Sequence, residues 1–128
     1  MPENRGMQLH YIGNEGVRSS NGRTIPVIDP SDGQPFDELQ RGTAEDLDAA
    51  VQAARQCYDG VWGRLCAAER GRLLMRLSNK VGEHAQGLAG LGQRDCGKPT
   101  KQARADALAL VRYFEFYAGA CDKLHGET

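Results

Sequence analysis

Residues 92–100, GQRDCGKPT, bring glycines, an acid, a thiol and a lysine within one short stretch. Two chemistries could use them. Gly92, Gly97 and Lys98 satisfy G-x-x-x-x-G-K, the spacing at which a strand–loop–helix unit cradles phosphate on backbone N–H groups. That loop needs a hydroxyl for the magnesium ion, and the position is Pro99. The residues before Gly92 also follow a helical period rather than a strand's, so the match is a chance one. Cys96 beside Lys98 is the second candidate, an activated thiol. Nucleophilic catalysis further requires a general base and an oxyanion hole. His10, His84 and His125 fall in a strand, a helix stripe and the C-terminal tail, so a reactive but non-catalytic thiol is the most that Cys96 supports. What DCGKP fits is a fixed turn, with Gly97 free to take positive φ and Pro99 opening a helix.

The elements around this turn follow from pattern. Residues 1–42 read as small antiparallel hairpins. QLHYI and GVRSS flank GNE, Asn21-Gly22 is a hairpin turn signal, and RTIPVID is followed by the turn-rich DPSDGQP and a return strand in FDELQRG. Pro26 suits an edge or a strand end. Residues 43–128 read as helical. Thr43 and Asp46 form a capping box for a helix whose stripe is Leu47, Ala50, Val51, Ala54, Cys57 and Tyr58, ending at Gly60. A second helix is expected from about Ala67 to Leu91, with His84 in the gap of its apolar stripe. Gly82, Gly87, Gly90 and Gly92 cost that region on the order of 4 kcal/mol, so it must be propped by a neighbour. A third helix starts near Pro99 and buries Ala103, Ala107, Leu110, Val111, Phe114, Tyr117 and Cys121. Tyr113 and Phe116 exceed one narrow face, so this helix is built to be covered on two sides. The segment is therefore α+β, with N-terminal β-hairpins followed by three amphipathic helices.

The chain has 128 residues, 16 basic against 17 acidic, and a net charge of −1. Nothing in that balance selects nucleic acid or anionic lipid. Arg64, Arg70, Arg72 and Arg76 alternate with leucines and read as a solvated helix face. No run approaches the ~20 apolar residues of a membrane span, and MPENRGMQLH is not a secretory signal. Cys57, Cys66, Cys96 and Cys121 lie far apart without metal-ligand spacing, which fits small core or surface thiols in a reducing cytoplasm.

The order of the pieces resembles the start of an NAD(P)-dependent aldehyde dehydrogenase of the betaine-aldehyde-dehydrogenase-like group. The stretches that carry the resemblance are YIGNEGVRSSNGRTIPVIDPSDGQPF, TAEDLDAAVQAAR, VWGRLCAAERGRLLMRLSNKV, RDCGKPTKQARAD and RYFEFYAGACDKLHGET. Residues 1–128 are then expected to be the N-terminal part of the coenzyme-binding domain in an α/β family fold, packed by a parallel nucleotide-binding sheet. The Gly-rich coenzyme turn, the catalytic cysteine, the general-base glutamate and the oligomerisation domain belong later in such a chain. No catalytic or cofactor-binding residue is thus assigned here, and the segment alone is expected to be inactive.

The resemblance implies further features. The complete enzyme would oxidise a small aldehyde to a carboxylic acid with NAD or NADP. A cysteine thiohemiacetal would give up hydride to the nicotinamide, and the resulting thioester would be hydrolysed. Relatives also hold a potassium or sodium ion, whose ligands here would be the backbone oxygens of Val27 and Ile28 and the acid Asp95, with another from beyond residue 128. Asp95 could equally cap the turn or the next helix. Gly92 and Arg94 stand where the family commonly has Glu and Leu, and Cys96 where it has a small polar residue. With a chain ending at HGET, these departures suggest a fragment, a split or truncated frame, or a relic under relaxed selection, whose partners are the remainder of the enzyme or homologous subunits. The alternative is a stand-alone, non-catalytic interaction module that binds another subunit.

Overall fold

A computed structural model describes residues 8–127. The N-terminal stretch read above for a signal lies largely outside them. The chain divides into two compact units, one up to Arg64 and the other from Leu65.

The first unit carries two antiparallel hairpins and a helix. Strands β1 (His10–Ile12) and β2 (Glu15–Val17) pair with His10 opposite Val17. Gly13 and Asn14 join them with φ of 61° and 72°, both positive, as a two-residue type I′ turn requires. Strands β3 (Thr24–Ile28) and β4 (Pro35–Gln40) form the second pair, closed by the turn formers of DPSDGQ. Asn21-Gly22, expected to close a hairpin, instead makes a turn between β2 and β3, which lie in separate sheets. There Gly22 N–H donates to the Ser19 carbonyl at 3.0 Å. Gln8 adds a bridge on the far side of β4, giving its N–H to Glu38 and taking that of Gln40.

Helix α1 (Ala44–Cys57) begins at the expected capping box: Asp46 N–H donates to Thr43 Oγ1, and Thr43 N–H to the Asp46 carboxylate. It does not run cleanly to Gly60. A π-helical turn over Tyr58–Trp62 follows, broken at Gly60 by φ −100° and ψ −117°. The expected stripe is also not buried: Leu47, Val51, Cys57 and Tyr58 are exposed. The pattern marks a face suited to burial, yet the described residues of this unit leave it uncovered.

The second unit is helical. The single second helix expected from the sequence is two, α2 (Ala67–Glu83) and α3 (Ala85–Cys96), broken at His84, whose ψ of 8° leaves the helical region. The glycine-rich half thus forms its own short helix and reaches past Leu91. Helix α4 (Thr100–Ala120) packs against both α2 and α3, which supplies the prop that α3 needs. The fold class is α+β as expected, with four α-helices among the described residues rather than three.

Small residues decide how closely these helices approach. Ala89, Ala103 and Ala107 form the buried cluster between α3 and α4, with Ala85 packed against it. Gly71 of α2 faces Ala118 of α4 so closely that a Cβ would stand 2.6 Å from the Ala118 carbonyl oxygen. Ser78, also buried, donates to the Val111 carbonyl at 2.9 Å. The larger residues of the expected α4 stripe fare differently: Val111 and Phe114 are half-buried, while Leu110 and Tyr117 are exposed. Among the described residues, no helix is long and apolar enough to cross a membrane.

Candidate functional site

The residues of the 92–100 stretch are held by the α3–α4 connection. Gly92, Asp95 and Cys96 belong to α3, so their backbone is helical and cannot form a phosphate cradle. Gly97 ends the helix at φ 65°, ψ 22°, the left-handed conformation that glycine takes without a Cβ clash. Pro99 is the cap of α4 rather than its first residue, and its carbonyl accepts the Ala103 N–H. Pro99, as the cap residue, makes no side-chain hydrogen bond into α4.

Lys98 is committed to Asp106, with Nζ to Oδ2 at 2.8 Å, and Gln102 Nε2 donates to the other carboxylate oxygen at 2.7 Å. The hydrogen bond and charge of Asp106 raise the Lys98 pKa above the ordinary lysine value, and the Lys98 hydrogen bond is the main cause lowering that of Asp106. Lys98, in the α3–α4 connection, is therefore a cation already paired with an acid of α4. Cys96 is exposed, and its sulfur donates a long hydrogen bond to the Asp95 carboxylate at 3.5 Å. His84 Nδ1 lies 2.9 Å from the Lys80 carbonyl, on the preceding helix. The stretch has a nucleophile type and an acid, but among the described residues the hydrogen-bond partner of Cys96 is Asp95 and not an imidazole.

Val27 and Ile28 lie at the end of β3 in the first unit, and Asp95 in the last turn of α3 in the second. The strand phase separates the two carbonyls. Arg41 N–H donates to the Arg23 carbonyl, and Asp29 N–H to the Gln34 carbonyl. Alternation from these bonds turns Val27 toward β4 and Ile28 toward the open edge. The residue opposite Ile28 is Pro35, which has no N–H to give it, and the register shifts between Val27 and Ile28. Among the described residues no cluster of three or more His, Cys, Asp or Glu could hold a metal ion.

The strongest electrostatic feature lies elsewhere, at the start of α1. Asp46 accepts from Thr43 N–H (2.9 Å), Ser19 Oγ (2.9 Å) and Ser20 N–H (3.0 Å). The Thr43 backbone bond is the largest cause holding its pKa at about 2; burial opposes it, and the Ser19 and Ser20 bonds reinforce it. An acid so saturated with donors stays ionised and is a poor general base near neutral pH. Ser19 is buried, and its N–H donates to Gln40 Oε1 at 2.7 Å. His10 Nε2 sits 3.9 Å from Asp46 Oδ2, buried and without a hydrogen-bond partner among the described residues. Thr43 and Asp46 were legible from their spacing, whereas His10, Ser19 and Gln40 carried no local signal. The cluster joins the hairpins to the helix and is a structural centre.

The remaining candidate surface is apolar. Tyr113, Phe116 and Tyr117 are exposed on α4 and line an open groove with Ala109 and Arg112. Phe116 and Tyr117 meet edge to face at 5.3 Å. In the first unit, Tyr11, Ala50, Ala53, Cys57 and Val61 line a second shallow groove.

The profile of the aldehyde dehydrogenase family matches residues 17–128. Aldehyde dehydrogenase family 2 member B4, mitochondrial, of Arabidopsis thaliana is 41% identical over 114 residues, 88% of this chain and 21% of its own. Human retinal dehydrogenase 2 is 40% identical over 92% of this chain and 23% of its own. A Burkholderia cenocepacia crystal structure assigned to the aldehyde dehydrogenases superposes with a TM-score of 0.91 at 60% identity, over 94% of this chain and 25% of that one. A Staphylococcus aureus betaine aldehyde dehydrogenase point mutant in complex with NAD+ superposes with a TM-score of 0.88 at 34% identity, over 94% and 24%. The chain spans about a quarter of the length of these relatives. By sequence match and by the shared fold of its hairpins and helices, the chain belongs to the aldehyde dehydrogenase family.

Proposed function

We propose that these residues are the N-terminal scaffold of the coenzyme-binding domain in an NAD(P)-dependent aldehyde dehydrogenase, without catalytic groups of their own. One observation carries this reading: among the described residues the buried apolar ones are Ala89, Ala103, Ala107 and Ala118, and no large side chain is fully buried. Alanine removes little apolar area from water, while Leu47, Val51, Tyr113, Phe116 and Tyr117 remain exposed on faces patterned for burial. Relatives about four times as long carry the same fold over this stretch, which supports a covering sheet from the rest of such an enzyme.

In that enzyme, NAD(P)+ accepts the hydride released as the aldehyde is oxidised to the acid. The residues here position and support. The Asp46 cluster fixes the hairpins on α1, and the Gly97 turn sets α3 against α4. Ile28 and Val27 carbonyls and the Asp95 acid are the oxygen donors this chain would offer to a potassium or sodium ion. The free thiols fit the reducing cytoplasm, although the Arabidopsis relative is named as mitochondrial.

The test is to incubate the chain with NAD or NADP and a panel of small aldehydes. No reduced nicotinamide is expected, and enzyme-dependent turnover would refute the scaffold assignment. The exposed aromatic groove on α4 favours a second reading, a non-catalytic module that binds a homologous subunit. A monomeric chain that binds no apolar dye would count against both, because each needs that face unpartnered.

A further inference from the structure

Asn21 and Gly22 form a turn to which neither the fold nor the family gives a chemical role. An asparagine followed by glycine lets the next backbone nitrogen approach the side-chain amide carbon with no Cβ in the way. Both residues are exposed, and a Cβ built on Gly22 would meet nothing within 4 Å, so water and hydroxide have access. Asn21 Oδ1 accepts the Arg23 N–H at 2.8 Å and the Ser19 hydroxyl at 3.1 Å. Two donors on one carbonyl oxygen polarise the Cγ–Oδ1 bond and stabilise the charge that oxygen carries in a tetrahedral adduct. One contact opposes the reaction: Gly22 N–H donates to the Ser19 carbonyl at 3.0 Å, and that bond must break before the nitrogen attacks.

We propose that Asn21 deamidates spontaneously in the folded chain, and that the carboxylate so formed loosens the tie between the β2–β3 turn and the start of α1. Hydroxide takes the proton of the Gly22 backbone nitrogen, which bonds to Asn21 Cγ. The bond from Cγ to the side-chain nitrogen breaks, and that nitrogen leaves as ammonia with a proton from water. Water then adds to one of the two carbonyls of the succinimide ring and opens it, leaving an aspartate or an isoaspartyl linkage at position 21. Nothing is oxidised or reduced.

The consequence follows from Ser19. Its hydroxyl has one hydrogen and three oxygen neighbours: Asn21 Oδ1 at 3.1 Å, the Arg41 carbonyl at 2.6 Å and Asp46 Oδ2 at 2.9 Å. With a carboxylate at position 21, two anions compete for that hydrogen and repel each other. At neutral pH Asp46 stays ionised, because the Thr43 and Ser20 N–H groups still donate to it. An isoaspartyl linkage lengthens the backbone beside Arg23, whose carbonyl takes the Arg41 N–H at the end of the β3–β4 ladder.

The experiment holds the purified chain in mildly alkaline buffer and follows each asparagine by peptide mapping and mass spectrometry. Asn14 and Asn79, followed by Glu15 and Lys80, are internal controls. Position 21 is expected to convert several-fold faster than either, into two products of equal mass, at a rate rising with pH. Equal rates at the three positions, or an intact Asn21, overturn the chemistry. Asn21→Asp, made directly, reads the structural half. It is expected to melt below the parent chain at neutral pH, by a margin that narrows in acid. Identical melting at neutral pH overturns the proposed loosening.

Discussion

Ser19 Oγ and Asp46 Oδ2 lie 2.9 Å apart although 27 positions separate them in the chain. The contact ties a turn between two hairpins to the first turn of a helix. It does so through an acid that its own helix already uses as a cap. A buried hydroxyl and a saturated carboxylate thus do locally what a large apolar core does elsewhere: they fix one element against another.

Acid should weaken this tie in a defined window. The Asp46 pKa is depressed, so its contribution is fully present above the ordinary carboxylate value near 4 and is lost as pH falls toward about 2. Thermal melts across that range should show a loss of stability that Asp46→Asn largely removes, with the variant less stable at neutral pH. Thr43→Ala, which deletes the cap hydroxyl, should cost about 1 kcal/mol. A parent and Asp46→Asn pair with the same pH profile would refute the assignment.

Gly71 is fixed by contact. A Cβ there stands 2.6 Å from the Ala118 carbonyl oxygen, and backbone cannot swing aside as a side chain can. Gly71→Ala should force α2 and α4 apart at about 1–3 kcal/mol. Urea unfolding followed by circular dichroism measures it, and an unchanged midpoint would contradict the close approach.

Gly97 is fixed by conformation instead. At φ 65° an alanine meets its own carbonyl, so Gly97→Ala should cost about 1–2 kcal/mol through the turn alone. Gly97→Asn should recover part of that loss, because asparagine tolerates this region better. Equal destabilisation by both substitutions would point to packing rather than backbone.

The α4 face should separate solubility from stability. Tyr113→Ser with Phe116→Ser removes exposed aromatic area while leaving Ala103, Ala107 and Ala118 in place. The pair is expected to lower apolar-dye binding and self-association and to shift unfolding by no more than about 1 kcal/mol, the sum for two exposed sites. A larger loss would mean that this face is already packed within the chain.

Some of this protein was settled by short stretches of sequence alone. The Thr43–Asp46 capping box, the left-handed Gly97, the α4 start beside Pro99 and the DPSDGQ turn all depend on residues within a few positions of one another. Their geometry is dictated by local hydrogen bonds and by what a missing Cβ or N–H allows. Tertiary structure alone decided that Asn21-Gly22 joins two separate sheets and that His84 splits an apparently continuous helix. It alone brought His10, Ser19 and Asp46 together. Those outcomes depend on which distant partners compete for each backbone and side-chain group. The α1 and α4 stripes show the same division: periodicity says a face is made to be covered, but only the partner surface determines whether it is.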